Sequence, residues 1–434
     1  MREDGSIGVG VLGLGVIGSQ VARVLLDQTE RLAHQVGAPV VLRRAVDIDT
    51  AKLQASGLPG HLLTTDAADV VNSPEVDVVV ELIGGVHPAM DLLTTALSQG
   101  KHAVTANKEL MAKQGPELIE LAEQNGVHLL YEASVGGGIP IIGPLKKDLL
   151  ANEITSIYAI INGTTNYIVT KMSREGLDFD SALRQAQAAG FAESDPTNDI
   201  EGFDPAYKLA ILASLAFHTR VRAEDVYREG ISRLAPQDFQ YADELGYAIK
   251  LLAIARCDDD VLSLRVHPAL VPYEHLLARV DGVFNAIEIE GDLVGQVLFH
   301  GQGAGPLPTS SAVVGDTVEI ARGIVSRSGS VRPGNFSREV SISPMEELTT
   351  SYYARLTVAD HAGVLANITK VLGDLSISIA SIIQKNADPT VQTAEIVITT
   401  HPAQERAVQE AFHQMEQIDV VKEVGSLIRV ENWS

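Results

Sequence analysis

Two groups of residues in this chain have the types and spacing that chemistry needs. Gly13-Leu14-Gly15-Val16-Ile17-Gly18 is a G-x-G-x-x-G turn between an apolar run, residues 7–12 (IGVGVL), and a helical pattern reaching about Gln35. In that setting the first glycine permits the tight turn and the second lets main-chain N–H groups approach a pyrophosphate. The third lets helix and strand pack closely. The second group lies in FAESDPTNDIEGFDPAYKLAILASLAF, residues 191–217. Asp204-Pro205 has the form of a helix start, with Asp as N-cap and Pro at the first helical position. Lys208 then falls one turn after Asp204, within an apolar helix. A positive helix end and an apolar wall both disfavour an ammonium, whereas a paired Asp204 favours it. A lysine able to pass a proton near neutral pH is one reading. A capped surface helix with a snorkelling lysine is the other, and the residues alone leave both open.

These groups need a scaffold, and the apolar pattern supplies one. Strand-like runs recur at 40–46, 77–83, 102–105 and 127–131, with helix-length segments near 88–99 and 109–125. This β–α–β alternation predicts a parallel, doubly wound sheet. Asp47, at the tip of the second run, is placed to meet an adenosine ribose. A carboxylate there favours the free 2′-hydroxyl of NAD, whereas NADP wants a cation, and Arg43 and Arg44 lie within the strand. A solvated strand end accounts for Asp47 equally well, so the choice between NAD and NADP stays open.

After Tyr131 the texture changes to a mixed region. Segments 248–257, 261–271, 284–290 and 294–300 read as sheet, with a hairpin turn at Glu290-Gly291-Asp292. Residues 326–350 are rich in Ser, Gly and Pro and read as a linker. A β–α–β–β–α–β pattern follows, with strands at 353–358, 377–385, 393–400 and 427–431 and helices at 363–373 and 402–416. The division expected is 1–134 for a Rossmann dinucleotide-binding domain, completed by 306–325, then 135–305 for an α+β catalytic and dimerisation domain with a mixed sheet. A C-terminal ferredoxin-like domain takes 351–434.

Composition narrows the function classes. Against 33 Lys and Arg stand 56 Asp and Glu, a formal charge of −23, which argues against a general nucleic-acid or anionic-membrane binder. Cys257 is the sole cysteine, so no intrachain disulfide or Cys-based metal cage can form. No apolar run is long enough to span a membrane and no signal peptide is legible at the N-terminus, so the cytoplasm is the expected compartment.

The stretch GFAESDPTNDIEGFDPAYKLAILA, with FHTRVRAEDVYREGI and INGTTNYI, resembles the catalytic region of homoserine dehydrogenases. VTANKELMA, YEASVGGGIPII and GQGAGPLPTSSAVVGD match the same family in the same order. The resemblance implies NAD(P)-dependent interconversion of homoserine and aspartate 4-semialdehyde by a homodimer or homotetramer. It implies further that Lys208 is the general acid/base, supported by Asp204, and that Lys108 lies by the nicotinamide and substrate. Glu193 and Asp199 would hold the substrate ammonium, and Gly305 would line the cofactor cleft. Glu132, Val135, Gly137 and Ile139 would offer oxygens, largely main-chain, to a sodium ion; read without the family, that loop is only a tight Gly-rich turn. The segment YYARLTVADHAGVLANITKVLGD resembles an ACT domain, with Asp360 and Gly363 as the loop positions for an amino-acid effector and threonine as its candidate. A dimerisation module without a ligand is the alternative.

Overall fold

The computed structural model describes residues 5–326, 336, 338–388 and 392–433, which fall into two compact units. The first comprises Met1–Thr155, Tyr207–Asp225 and Asn285–Glu339. Its sheet is built from β1 (Ile7–Leu12), β2 (Val40–Val46), β3 (Leu63–Thr64), β4 (Val78–Glu81), β5 (His102–Thr105) and β6 (Leu129–Leu130). The strands lie in the order β3-β2-β1-β4-β5-β6, and every pairing is parallel. All six residues of β1 are buried, because helices cover both faces of such a sheet and leave no side for alternation. The strand order changes direction between β1 and β4, and the crevice beyond their carboxyl ends is where this architecture takes ligands.

The helical pattern to about Gln35 is two helices, Val16–Asp27 and Thr29–Val36. They break at Gln28, where the Thr29 hydroxyl donates to the Leu26 carbonyl at 2.7 Å and competes with the helical ladder. Gly37, at φ +84°, ends the second. The segment between β2 and β4 holds short elements, including the helix Thr50–Ala55, that are too brief to leave a period in the sequence. In the same unit the strands Phe284–Gly291 and Gly295–Gln302 are joined by a turn at 292–294, two residues later than the Glu290-Gly291-Asp292 signal suggests.

The second unit comprises Ser156–Ala206, Val226–Phe284 and Val340–Ser434. Tyr247–Asp258 and Val261–Pro272 form an antiparallel hairpin paired along its whole length. The C-terminal segment has the expected βαββαβ order: strands Thr349–Ala359, Ile379–Asp388, Thr393–Thr400 and Val421–Val430, with helices Val364–Asp374 and Glu405–Glu416. Tyr352, Leu356, Ile368, Ile396, Val408 and Phe412 are among the apolar residues of its core. Its last strand does double duty. It pairs antiparallel with Thr349–Ala359 and, at Arg429 and Val430, parallel with Ala269 and Leu270. Within the Ser/Gly/Pro-rich stretch, Ser341–Ile342 adds a short parallel pairing to Val261 and Leu262; residues 327–335 and 337 lie outside the described ones.

Ion pairs run within the C-terminal layer and from it to the rest of this unit. Arg429 donates to both oxygens of Glu405, at 2.6 and 2.9 Å, and to Glu229 at 2.6 Å. Arg355 donates to Asp238 at 2.7 Å, and Arg265 to both oxygens of Glu431 at 3.1 Å. Burial alone would push the Glu405 carboxyl up. The hydrogen bonds from Arg429 overcome that and hold it below the usual glutamate value.

Candidate active site

The Gly-rich turn has the geometry its sequence promises. Gly13 sits at φ +93°, and a Cβ there would lie 2.8 Å from the Leu82 carbonyl oxygen. A Cβ on Gly18 would lie 1.8 Å from the Gly13 carbonyl oxygen, so only glycine lets this helix approach its strand. At Gly15 a Cβ would meet nothing within 4 Å, which leaves the outer face of the turn open to a ligand. Gly15 caps the helix without a side-chain bond. Val16 is exposed beside it. The helix N-terminus thus offers main-chain donors and a positive end to an anion. Asp47 is buried, and its carboxylate accepts from Leu14 N at 2.9 Å and Asp49 N at 3.0 Å, with Lys52 Nζ 4.0 Å away. Its first task is to brace the Gly-rich turn.

Glu81, closing β4, is fully buried and organises the neighbouring loops. It accepts from Ile83 N at 2.7 Å and Gly84 N at 3.2 Å, and from the Thr105 hydroxyl at 2.5 Å. Thr105 in turn accepts from Asn107 N. Asn107 caps the helix Lys108–Gln124 through Leu110 N and donates to the Gly85 carbonyl at 2.6 Å. Lys108 is therefore the first residue of a capped helix, held at the carboxyl end of the sheet.

A cavity of about 280 Å³ in the first unit brings four of the predicted residues together, and Asp204, Asp199, Glu193 and Gly305 are not among its lining. Ile17, Lys108, Gly137 and Lys208 line it together with Gly84, Ser134, Ala304 and Thr309. Two lysines in one small cavity suit an oxygen on which negative charge develops. Lys208 is only 9 % exposed and lines this cavity, which speaks against the snorkelling surface lysine. Gly305, at φ +120°, follows Ala304 and starts the helix Pro306–Ser326 by accepting from Thr309 N. A larger cleft of about 690 Å³ in the second unit is lined by none of the predicted site residues, and size alone does not make it the site.

The helix carrying Lys208 runs Phe203–Ala216. Its first bond is Ala206 N to the Gly202 carbonyl, so Gly202, at φ +80°, is the cap. Asp204 stands inside the first turn instead of capping it, and Pro205 is tolerated because first-turn N–H groups have no helical partner. Asp204 is 2 % exposed. Its Oδ2 accepts from Asn162 Nδ2 at 2.8 Å, and the same nitrogen donates to Asp199 Oδ1 at 2.7 Å. Glu193 lies on an exposed coil, with its main-chain carbonyl accepting from Gln187.

In the loop of Glu132, Val135, Gly137 and Ile139, the Glu132 carboxylate accepts from Ile141, Ile142 and Gly143 N at 2.6–2.8 Å. Those bonds occupy it, so the oxygens this loop can turn to an ion are main-chain ones. No cluster of three His, Cys, Asp or Glu suited to a metal occurs among the described residues. Neutral carbonyl donors fit a monovalent cation better than a divalent one.

Glu132 N donates to Asp316 at 2.9 Å, and burial pushes the Asp316 carboxyl up to about 8. The folded chain therefore binds a proton there more tightly than the unfolded one. This contribution to stability is present below the ordinary aspartate pKa and lost as pH rises through about 8. Asp316→Asn keeps an acceptor for Glu132 N and is expected to flatten that slope. Denaturant unfolding of both proteins between pH 5 and pH 9 reads it; parallel curves would show Asp316 to be ionised throughout.

In the C-terminal layer Asp360 and Gly363 lie on an exposed loop. Gly363 is the left-handed cap, at φ +95°, of the helix Val364–Asp374. The residues that organise the site without being singled out in the sequence are Glu81, Asn107, Asn162 and Asp316. Only Glu81 leaves a trace there, as a carboxylate at the end of the apolar run VVVE.

Residues 140–318 match the family model described as homoserine dehydrogenase, residues 13–132 that of the homoserine dehydrogenase NAD binding domain, and residues 352–417 that of the ACT domain. A homoserine dehydrogenase of Synechocystis is 44% identical, covering 98% of this chain and 99% of its own. That of Bacillus subtilis is 40% identical over 99% of this chain and 100% of its own. A crystal structure of a homoserine dehydrogenase from Thiobacillus denitrificans superposes with a TM-score of 0.92 at 44% identity, covering 98% of each chain. A hyperthermophilic archaeal homoserine dehydrogenase in complex with NADPH matches 73% of this chain and 97% of its own, at a TM-score of 0.62 and 26% identity. With a Rossmann sheet, two lysines in the cavity at its carboxyl end and relatives of this identity along nearly its whole length, the chain belongs to the homoserine dehydrogenase family as an NAD(P)-dependent oxidoreductase with a C-terminal ACT domain.

Proposed function

We propose that Lys208 is the proton donor and acceptor of the reaction, and that Lys108 holds the reacting oxygen beside the nicotinamide. The observation that carries this is their common place in one cavity with Ile17 of the Gly-rich helix start and Ala304. When bound, the dinucleotide supplies or takes the hydride. The chain's part is to orient the substrate, exclude water and move the proton at Lys208 Nζ. The pyrophosphate lies over the main chain of residues 13–18, and Gly305 borders the same cleft. The ammonium of a four-carbon amino acid is held by Glu193 and Asp199, and Asp204 supports the lysine one turn along. A sodium ion sits on main-chain oxygens of Glu132, Val135, Gly137 and Ile139. Threonine binds at Asp360 and Gly363 as effector, the enzyme works as a homodimer or homotetramer, and its place is the cytoplasm. Asp47, with both oxygens drawn to main-chain donors and Lys52 nearby, admits NADP as readily as NAD.

One steady-state assay, homoserine-dependent reduction of the dinucleotide, tests this. Glu193→Ala is expected to raise KM for homoserine at least tenfold, about 1.4 kcal/mol of lost binding, while KM for the dinucleotide holds. Added threonine should lower the rate in the parent and not in Asp360→Ala. Unchanged homoserine KM removes Glu193 from the site, and a threonine response indifferent to Asp360 moves the effector elsewhere.

A further inference from the structure

Asn162 stands at the end of the strand Ile154–Ile160 and caps the helix Gly163–Glu175. It is 5 % exposed, and every hydrogen-bonding capacity of its side chain is taken. Oδ1 accepts from Thr165 N at 2.9 Å and from the Thr165 hydroxyl at 3.0 Å. Nδ2 donates one hydrogen to Asp199 at 2.7 Å and the other to Asp204 at 2.8 Å. The Thr165 N–H admits only an acceptor, so the orientation of the amide is fixed by its partners and cannot be flipped.

This is a specific solution to an electrostatic problem. Two carboxylates that share a site repel each other. A lysine or arginine between them would bind both but would also neutralise the charge that a substrate ammonium must meet. An aspartate would add a third negative charge. Among side chains of this length, only a primary amide offers two donors, no charge and an acceptor for the helix cap at once.

We propose that Asn162 is a positioning residue of the dehydrogenase reaction: its one amide nitrogen ties the substrate-holding Asp199 to Asp204 on the helix of Lys208. The substrate's ammonium and the proton-transfer helix are thereby kept in a single register. This rests on the roles given above to Asp199 and Asp204.

Asn162→Ser separates positioning from capping. Serine caps a helix about as well as asparagine, so the Thr165 N–H keeps its acceptor, and the fall in thermal stability is only that of leaving the buried Asp204 carboxylate one donor short. Both tethers to the carboxylates are lost. The expected result is a drop in kcat and a rise in homoserine KM, together about 100-fold in kcat/KM, with dinucleotide KM unchanged. A purely structural role would instead shrink the active fraction, lowering apparent kcat and leaving both KM values in place. A double-mutant cycle adds a measurement that does not depend on perfect folding. In an Asp199→Asn background, Asn162→Ser should cost much less than it does alone, because the tether has already lost its charged acceptor. Additive losses, or a kcat/KM within threefold of the parent, overturn the proposal. If Asp199→Asn and Asp204→Asn are themselves silent, the reading of those carboxylates fails; if they are damaging while Asn162→Ser is not, the tether alone fails.

Discussion

Lys208→Ala is expected to lower kcat for homoserine oxidation by about 10²–10⁴-fold, the loss that follows removal of a general acid or base. Dinucleotide KM should change little, because the proposed pyrophosphate cradle, the main chain of residues 13–18, is not touched by the substitution. On the proposal above, in the reducing direction hydride would reach the aldehyde carbon, the C–O π pair would move to oxygen, and the Lys208 ammonium would give that oxygen its proton. Lys208→Arg refines the test. Arginine keeps the positive charge but does not release a proton at any working pH. Recovery of activity in Lys208→Arg would show that a fixed charge suffices, and near-parental kcat in Lys208→Ala would remove the residue from the reaction.

The second large effect is on stability. Arg429 is fully buried, and its guanidinium satisfies Glu405 and Glu229 together. Arg429→Ala strands the carboxylate of Glu405, itself only 2 % exposed, and is expected to destabilise the chain by about 3–5 kcal/mol. A melting scan should show the transition lowered by roughly 10 °C. The pH dependence carries a sign that checks the cause. In the parent, the Glu405 carboxyl lies below its unfolded value, so its contribution is present above the ordinary glutamate pKa and lost as pH falls through the folded one. Without Arg429, only the hydrogen bonds from Tyr352 and Gln409 still oppose burial, and the contribution of Glu405 above the ordinary glutamate pKa should shrink. Replacing Arg429 and Glu405 together by methionine should cost less than Arg429→Ala alone, because the fully buried carboxylate is gone and Glu229 keeps access to solvent. A single alanine variant that melts with the parent would mean that water or another cation reaches Glu405.

Much of this architecture is legible in the residues because one principle dominated each stretch. The buried runs IGVGVL and VVLRRAV could only be strands of a covered sheet, and the three glycines of the turn each meet a separate steric demand. The helix break at Gln28 was hidden because a threonine's bond to its own backbone leaves no periodic mark. Asp204 reads as a cap from its neighbour Pro205, yet Gly202 takes that place, since its positive φ ends the preceding turn and its carbonyl opens the helix. Lys208 is legible one turn after Asp204 in an apolar helix, whereas Lys108 comes to notice only through the family resemblance, and the cavity they share accounts for why two cations are set so far apart in the chain. Asn162, Glu81 and Asp316 act through contacts 24 to 184 positions away, which no local pattern announces.

The last strand belongs to two layers at once, and that bears on how the proposed threonine control could be removed. Deleting the C-terminal domain is the obvious cut. It would take Arg429, Arg355 and Glu431 away from Glu229, Asp238 and Arg265, and would bare the backbone of Ala269 and Leu270. What remained would be an aggregation-prone remnant in place of an unregulated catalyst. Point changes confined to the exposed turn at 360–363 leave every one of those partnerships standing. They are the route by which a strain engineer could blunt the response while keeping the enzyme whole.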